Sequence, residues 1–244
     1  MIENNEPLYL SLFQEWFDDL EEAKCLELLD SILPSLDVLY ENTTVFPLVK
    51  NVFRVFNSNP KDIKVILLGQ DPYHSVHPEI YRDSTGKLSK GVPVPDACGY
   101  SFLTENGYAP PSLINMFIEL TKDTGVSRIP GYQNYNGKPE QYPFNKWVEQ
   151  GVMMLNTALT VEKDKPGSHL LIWREFSSRL IKHLVNKYPN LVWILLGNKA
   201  QDLLKPYDCK KVEAYHPSPL AGGKFFGSQI YSKTNELLTT PIKW

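Results

Sequence analysis

Four short apolar runs constrain the fold of this chain more than any other feature. They are Ile63-Lys64-Val65-Ile66-Leu67-Leu68, Val152-Met153-Met154-Leu155, Leu191-Val192-Trp193-Ile194-Leu195-Leu196 and, more weakly, Val212-Glu213-Ala214-Tyr215. Runs of this length that stay apolar on successive residues read as strands buried on both faces. Between them lie helical patterns, Leu113, Met116, Phe117 and Leu120, then Phe176, Leu180, Ile181, Leu184 and Val185, with Gly and Pro stops nearby. Strands alternating with helices predict an α/β fold, a central four-stranded parallel sheet flanked by helices on both faces. At 244 residues and 42% hydrophobic, the chain can bury one sizeable core, and it shows neither an internal repeat nor an interdomain linker. A single domain spanning 1–244 is expected.

The flanks are less regular. Leu10, Phe13, Phe17, Leu20, Leu28 and Ile32 recur at helical spacing, and Val49, Val52, Phe53 and Phe56 continue it as far as Asn59-Pro60, so residues 1–60 read as a helical region. This region is acidic. Residues 1–41 hold eleven Asp or Glu and one Lys, a balance of −10, so the remainder carries −3 − (−10) = +7. A basic body beside an acidic face fits a phosphate-binding protein, and it fits a solvated acidic helix equally well. Two stretches, 75–98 and 127–145, are rich in Pro, Gly, Asn, Ser and Tyr without apolar periodicity, and read as long loops. The scattered Cys25, Cys98 and Cys209 exclude a disulfide framework, a four-cysteine zinc site and a cysteine-bound cluster. With no leader-like or membrane-length segment, a soluble cytoplasmic protein is expected.

The polar residues cluster where the strands end. The first run leads into Gly69-Gln70-Asp71-Pro72-Tyr73-His74, the second into Asn156-Thr157, the third into Gly197-Asn198 and the fourth into His216-Pro217-Ser218-Pro219-Leu220. In open parallel sheets ligands bind at the carboxyl ends of strands, so Asp71, Asn156 and His216 should converge. A carboxylate, an amide and an imidazole around one crevice suit hydrolysis with a charge-stabilised leaving group. Each also has a plainer reading: Asp71-Pro72 as a turn, Asn156 as a helix cap, His216 as a hydrogen-bonded loop residue. His74, His77 and Glu79 could join Asp71 around a metal, but they fall in a loop rather than on one helical face, and no metal is expected. No GxGxxG, Walker A or GxSxG pattern supports a nucleotide cofactor or a serine hydrolase.

The segments Gly69–His74 and His216–Leu220 resemble the two signature motifs of family 1 uracil-DNA glycosylases. The similarity extends through Phe46-Pro47 to Phe53, Pro110-Pro111-Ser112-Leu113, Leu155 to Val161, Gly167-Ser168-His169 and Phe226-Gly227 to Asn235. The resemblance implies an enzyme that hydrolyses the N-glycosidic bond of deoxyuridine in single- and double-stranded DNA, without metal or organic cofactor. It implies catalysis by Asp71, orienting water and stabilising the cationic sugar, and by His216, donating to uracil O2. Asn156 would read the uracil edge, Phe102 would stack on the ring, Tyr73 would exclude a C5 methyl and Gln70 would support the pocket. Leu220 would enter the DNA stack, while Ser112, Ser168, His169 and Ser218 would contact or position the DNA backbone. A monomer is expected, with DNA and uracil-mimicking inhibitor proteins as partners and no membrane.

The chain departs from the family pattern in three places. An excursion starting at Ser75-Val76-His77-Pro78 delays Phe102, Ala221 replaces a usual Ser, and the third strand lacks a usual Trp before Gly197. Segment 75–98 carries Arg82, Lys87 and Lys90 against Glu79, Asp83 and Asp96, so it exerts no net pull on phosphate. Two other readings stay open at this stage: a DNA-binding protein that has lost turnover, and a glycosylase of broader range.

Overall fold

The computed structural model of the protein describes residues 13–82, 87–126 and 143–244, together with the paired strands Ile2–Glu3 and Glu6–Pro7. The four apolar runs form the strands β1 (Val65–Gly69), β4 (Val152–Asn156), β5 (Val192–Leu196) and β6 (Lys210–Ala214). They lie in the order β6-β5-β1-β4, and every pairing is parallel. The pleat then sorts the side chains. Ile66, Leu68, Met153, Leu155, Trp193 and Leu195 enter one core, and Val65, Leu67, Val152, Met154, Ile194 and Val212 enter the other.

Helices cover both faces. On the first lie α1 (Phe17–Glu22), α2 (Leu26–Asn42) and α5 (Leu170–Lys187). On the second lie α3 (Pro111–Thr124), α4 (Pro143–Glu149) and α7 (Ile230–Leu237), which contribute Leu113, Trp147 and Tyr231 to the core. A short helix α6 (Asn198–Leu204) starts directly after β5. The N-terminal pattern is two helices rather than one, because Lys24 adopts φ +53° between them. Val49–Asn51 and Arg54–Asn57 are 3₁₀ turns, and pack Phe53 and Phe56 edge-on against Phe13 at 5.0 and 5.3 Å.

The acidic N-terminus is not a free face. Asp19 is buried and accepts from His183 Nε2 at 2.8 Å and from the Tyr188 hydroxyl at 3.0 Å, with Lys187 Nζ 3.3 Å away. Glu22 pairs with Lys187, and Glu27 with Arg179. Burial, and then the bond to Asp19, push the Tyr188 phenol up to about 12. Asp19→Ala would leave the Tyr188 hydroxyl unpartnered and His183 with only the longer approach to Glu22 at 3.9 Å, although Lys187 keeps Glu22. The expected cost is about 3 kcal/mol, near the low end for opening a buried ionic contact. Denaturant titration checks it, and a loss under 1 kcal/mol would show that Asp19 is dispensable.

Segment 75–98 corrects the expectation of a loop. It contains an antiparallel hairpin, β2 (Val76–Arg82) and β3 (Leu88–Pro95), with a register shift between Pro78 and Ile80. Pro78, Pro93 and Pro95 are tolerated because each strand of a two-stranded ribbon is an edge strand, with backbone positions that need no partner. The hairpin base is fixed to the body. Buried Asp96 accepts from Asn106 Nδ2 at 2.7 Å and lies 2.7 Å from His77 Nδ1, and the His77 ring stacks on Tyr108 at 3.5 Å. Of the second expected loop, 127–142 lies outside the described residues, and Pro143 begins α4.

Candidate active site

Because the strands are parallel and in register, their carboxyl ends lie at one level. Gly69 pairs with Asn156, Leu68 with Leu195, and Leu196 with Ala214. The segments that leave these ends surround a cavity of about 380 Å³, lined by Gln70, Phe102, Thr157, Gly197, Lys199, Tyr215, His216 and Ala221 among others. Gln70, Phe102 and His216 thus reach one space from three remote parts of the chain.

Gly69 is required by packing. A Cβ there would stand 2.3 Å from Asn156 Oδ1 and 2.8 Å from Ser101 Cβ, so only glycine lets the buried Asn156 amide lie across the end of β1. Two bonds tie the turn after β1 to the turn after β4: Thr157 Oγ1 donates to the Gln70 carbonyl at 2.7 Å, and Ala158 N–H donates to the same oxygen at 2.8 Å.

Both oxygens of the half-buried Asp71 carboxylate accept hydrogen bonds. Gln70 Nε2 donates to Oδ1 at 2.9 Å, and the Gly167 backbone N–H donates to Oδ2 at 2.5 Å. Gly167 has φ +80°, so the turn that presents this N–H favours glycine. The Tyr73 ring packs with Phe46, Ala97 and Val161, and its hydroxyl donates to the Phe102 carbonyl at 3.1 Å. Phe102 itself sits at φ +61°, an uncommon conformation for an aromatic residue, held by its surroundings at the cavity wall. Those surroundings include Ser101, which donates through N to Met154 O and through Oγ to Leu67 O. They also include a two-pronged pair from Arg54 to Glu105 at 2.6 and 2.7 Å.

His216 faces the Phe102 ring, with centroids 5.8 Å apart. Its Nδ1 accepts from the Ser218 N–H at 3.0 Å. The ring proton of the neutral imidazole therefore sits on Nε2, which is left to donate. The protein packed around the ring, and then the Lys199 ammonium, hold its pKa below the usual histidine range. Asn115 Nδ2 anchors this loop through the Pro217 carbonyl at 2.7 Å. Beyond it, Ser218 Oγ accepts from Leu220 N–H at 3.3 Å and caps a 3₁₀ turn that leaves Leu220 97% exposed. An apolar side chain held so far into water has no packing role within the chain.

The residues expected at the DNA backbone fall into two kinds. Ser112 lies in the first turn of α3, and Ser168 and Ser218 sit on surface turns, Ser168 Oγ accepting from Glu162 N–H at 2.9 Å. His169 differs: it is 3% exposed, with Nδ1 2.9 Å from Thr160 Oγ1, so it braces the turn more than it lines a surface. Burial lowers its pKa, against a smaller opposing pull from Glu162. His77, named as a metal candidate, is engaged by Asp96 instead. Among the described residues, no group of three His, Cys, Asp or Glu side chains could hold a metal ion, and no helix is long and apolar enough to cross a membrane. Sequence reasoning gave no part to Thr157, Asn115, Arg54 or Lys199. Gly167 and Thr157 carried a signal only as parts of the matched segments Gly167-Ser168-His169 and Leu155 to Val161.

A family model described as the uracil DNA glycosylase superfamily matches residues 56–239. The chain belongs to that superfamily. It is 35% identical over 240 residues to a uracil-DNA glycosylase of Exiguobacterium sibiricum, covering 94% of this chain and 97% of that one. Among solved structures it resembles the mimivirus uracil-DNA glycosylase, with a TM-score of 0.76, 26% identity and coverage of 98% and 89% of the two chains. A variant of the mimivirus protein in complex with UGI matches similarly, with a TM-score of 0.77, 26% identity and coverage of 98% and 91%.

Proposed function

We propose that this chain releases uracil from DNA by hydrolysing its N-glycosidic bond, acting on an extruded nucleotide. One observation supports the reading: Asn156 ends one strand, the doubly bonded Asp71 leaves a second and His216 leaves a third, all at the carboxyl edge of one parallel sheet. Uracil enters the cavity stacked on Phe102 and pairs its edge with the Asn156 amide. Cytosine would present a donor where uracil presents an acceptor and leave that amide mispaired. The Tyr73 ring, fixed by its bond to Phe102, stands where thymine carries its methyl, and overpacking excludes more strongly than a missing contact would.

The C1′–N1 bond breaks with its electron pair passing to uracil, whose O2 accepts from His216 Nε2–H. The sugar cation faces Asp71, which also orients a water. Water oxygen bonds to C1′, one water proton balances the uracil anion, and free uracil and an abasic site result. Ser112, Ser168 and Ser218 hold the backbone, with His169 bracing the turn that carries Ser168. No metal or organic cofactor takes part. The protein acts as a cytoplasmic monomer on single- and double-stranded DNA, and a uracil-mimicking inhibitor protein would compete for the same face.

The test is excision from a uracil-containing oligonucleotide in EDTA. Release of free uracil supports the reading, and binding without release supports a DNA-binding protein that has lost turnover. Release only before chelation would bring a metal into the chemistry. Leu220→Ala adds a second arm. Extruding a base costs on the order of a few kcal/mol, which a wedge offsets only in a duplex. The variant should lose at least about tenfold on duplex and much less on single strands, about 1.4 kcal/mol of selective loss. Equal losses on both substrates would remove the wedge role.

A further inference from the structure

The strip of chain beside the cavity and the exposed Leu220, residues 221–224, has chemistry of its own. Ala221 lines the cavity and follows Leu220 in the chain, so wedge and cavity wall are adjacent residues, about 3.8 Å apart at their Cα atoms. Tyr215 and Lys199 line the same cavity, and Lys224 Nζ lies 5.3 Å from the centroid of the Tyr215 ring. Neither ammonium forms an ion pair or a side-chain hydrogen bond among the described residues. After Ala221, Gly222 and Gly223 adopt φ +62° and +77°, and nothing lies within 4 Å of where a Gly222 Cβ would be. The strip is therefore bare, open to close approach and flanked by two unpaired cations.

On the reading that the cavity takes an extruded base, the geometry of the chain dictates what crosses this strip. The base lies in the cavity and Leu220 fills the place it left. The sugar and phosphates joining them must pass beside Ala221, which touches both places. We propose that Lys199 and Lys224 clamp the DNA phosphates beside the extruded nucleotide, supplying an electrostatic grip that serines alone do not give. Such a grip is indifferent to base sequence and salt-sensitive. Stacking on Tyr215 holds the Lys224 ammonium over the strip before DNA arrives. Their surface positions make substitution structurally mild.

The experiment measures the dissociation constant for a duplex containing an abasic site, across a salt series, for the parent and for Lys199→Gln, Lys224→Gln, the double variant and Lys199→Arg. Each Gln substitution should reduce the slope of log Kd against log salt by about 0.9, and the double variant by about 1.8, whereas Lys199→Arg should keep the parent slope. Excision kinetics should show the loss in KM more than in kcat. Unchanged slopes in either single variant overturn the two-lysine clamp. So does a loss of tenfold or more confined to kcat, which would make Lys199 a stabiliser of the leaving group. If the parent binds the abasic duplex with the expected slopes but releases no uracil, the uracil reading fails and the clamp stands.

Discussion

Asp71→Asn should fold as the parent does and release uracil about 10²–10⁴-fold more slowly, the range for a positioned catalytic carboxylate. Both oxygens of Asp71 accept, one from Gln70 Nε2–H and one from Gly167 N–H. Asn has one acceptor oxygen, so its NH₂ would face the Gly167 N–H or, with the oxygen there, the Gln70 Nε2–H as it stands, and only a flip of the Gln70 amide would relieve the mispairing. The variant loses the charge that stabilises the sugar cation and also the orientation that the two donors impose. Because the group is only half-buried, this mispairing should cost little stability. Single-turnover excision at saturating enzyme, with melting temperature as control, is the measurement. A rate within tenfold of the parent would remove Asp71 from the chemistry.

His216→Ala should cost about 10²–10³-fold, the usual loss when one preorganised donor to a developing anion is deleted. The pH dependence follows from the direction of its shift. The protein packed around the ring, and then Lys199, lower the pKa of His216, so the neutral ring persists to lower pH than an ordinary histidine would allow. Protonation places a second N–H on Nδ1, facing the Ser218 N–H that it now accepts from. Activity resting on His216 should therefore fall at a lower pH than the ordinary histidine value, and replacing Lys199 by Gln should move that fall upward. Nitrogen NMR of the ring should show a proton on Nε2 and none on Nδ1 at neutral pH. A proton on Nδ1, or a charged ring at neutral pH, would contradict this role.

The strands were legible because parallel strands covered on both faces must be apolar at every position, and Val65 to Leu68 or Val192 to Leu196 satisfy that locally. The placement of Asp71, Asn156 and His216 at one edge of the sheet followed from the same pattern, since a parallel sheet aligns its carboxyl ends. The hairpin was not legible. Its prolines argue against a central strand and say nothing against a two-stranded ribbon, and its alternation is broken at Pro78 and Ile80. The break between α1 and α2 turns on one residue, Lys24, whose type does not announce a left-handed backbone. The bonds that orient the site were invisible for a different reason. Gly167 reaches Asp71 across 96 positions and Asn115 reaches Pro217 across 102, and no spacing rule encodes such contacts. Whether His169 contacts or positions the DNA backbone is not legible in its motif, which names the residue type and not its burial.

The order of the sheet distributes the work of the site unevenly over its supports. His216 follows one outer strand, β6, Asn156 follows the other, β4, and Asp71 leaves from the interior strand β1. An outer strand has a single hydrogen-bonded neighbour, so it can shift by tenths of an ångström without carrying the rest of the sheet with it. With the roles proposed above, inheritance can thus adjust base choice through β4, or leaving-group handling through β6, almost independently. The position that meets the sugar is locked between two neighbours. Drift in what such a protein cuts, or how fast, has two separate dials, while the place where the bond breaks has none.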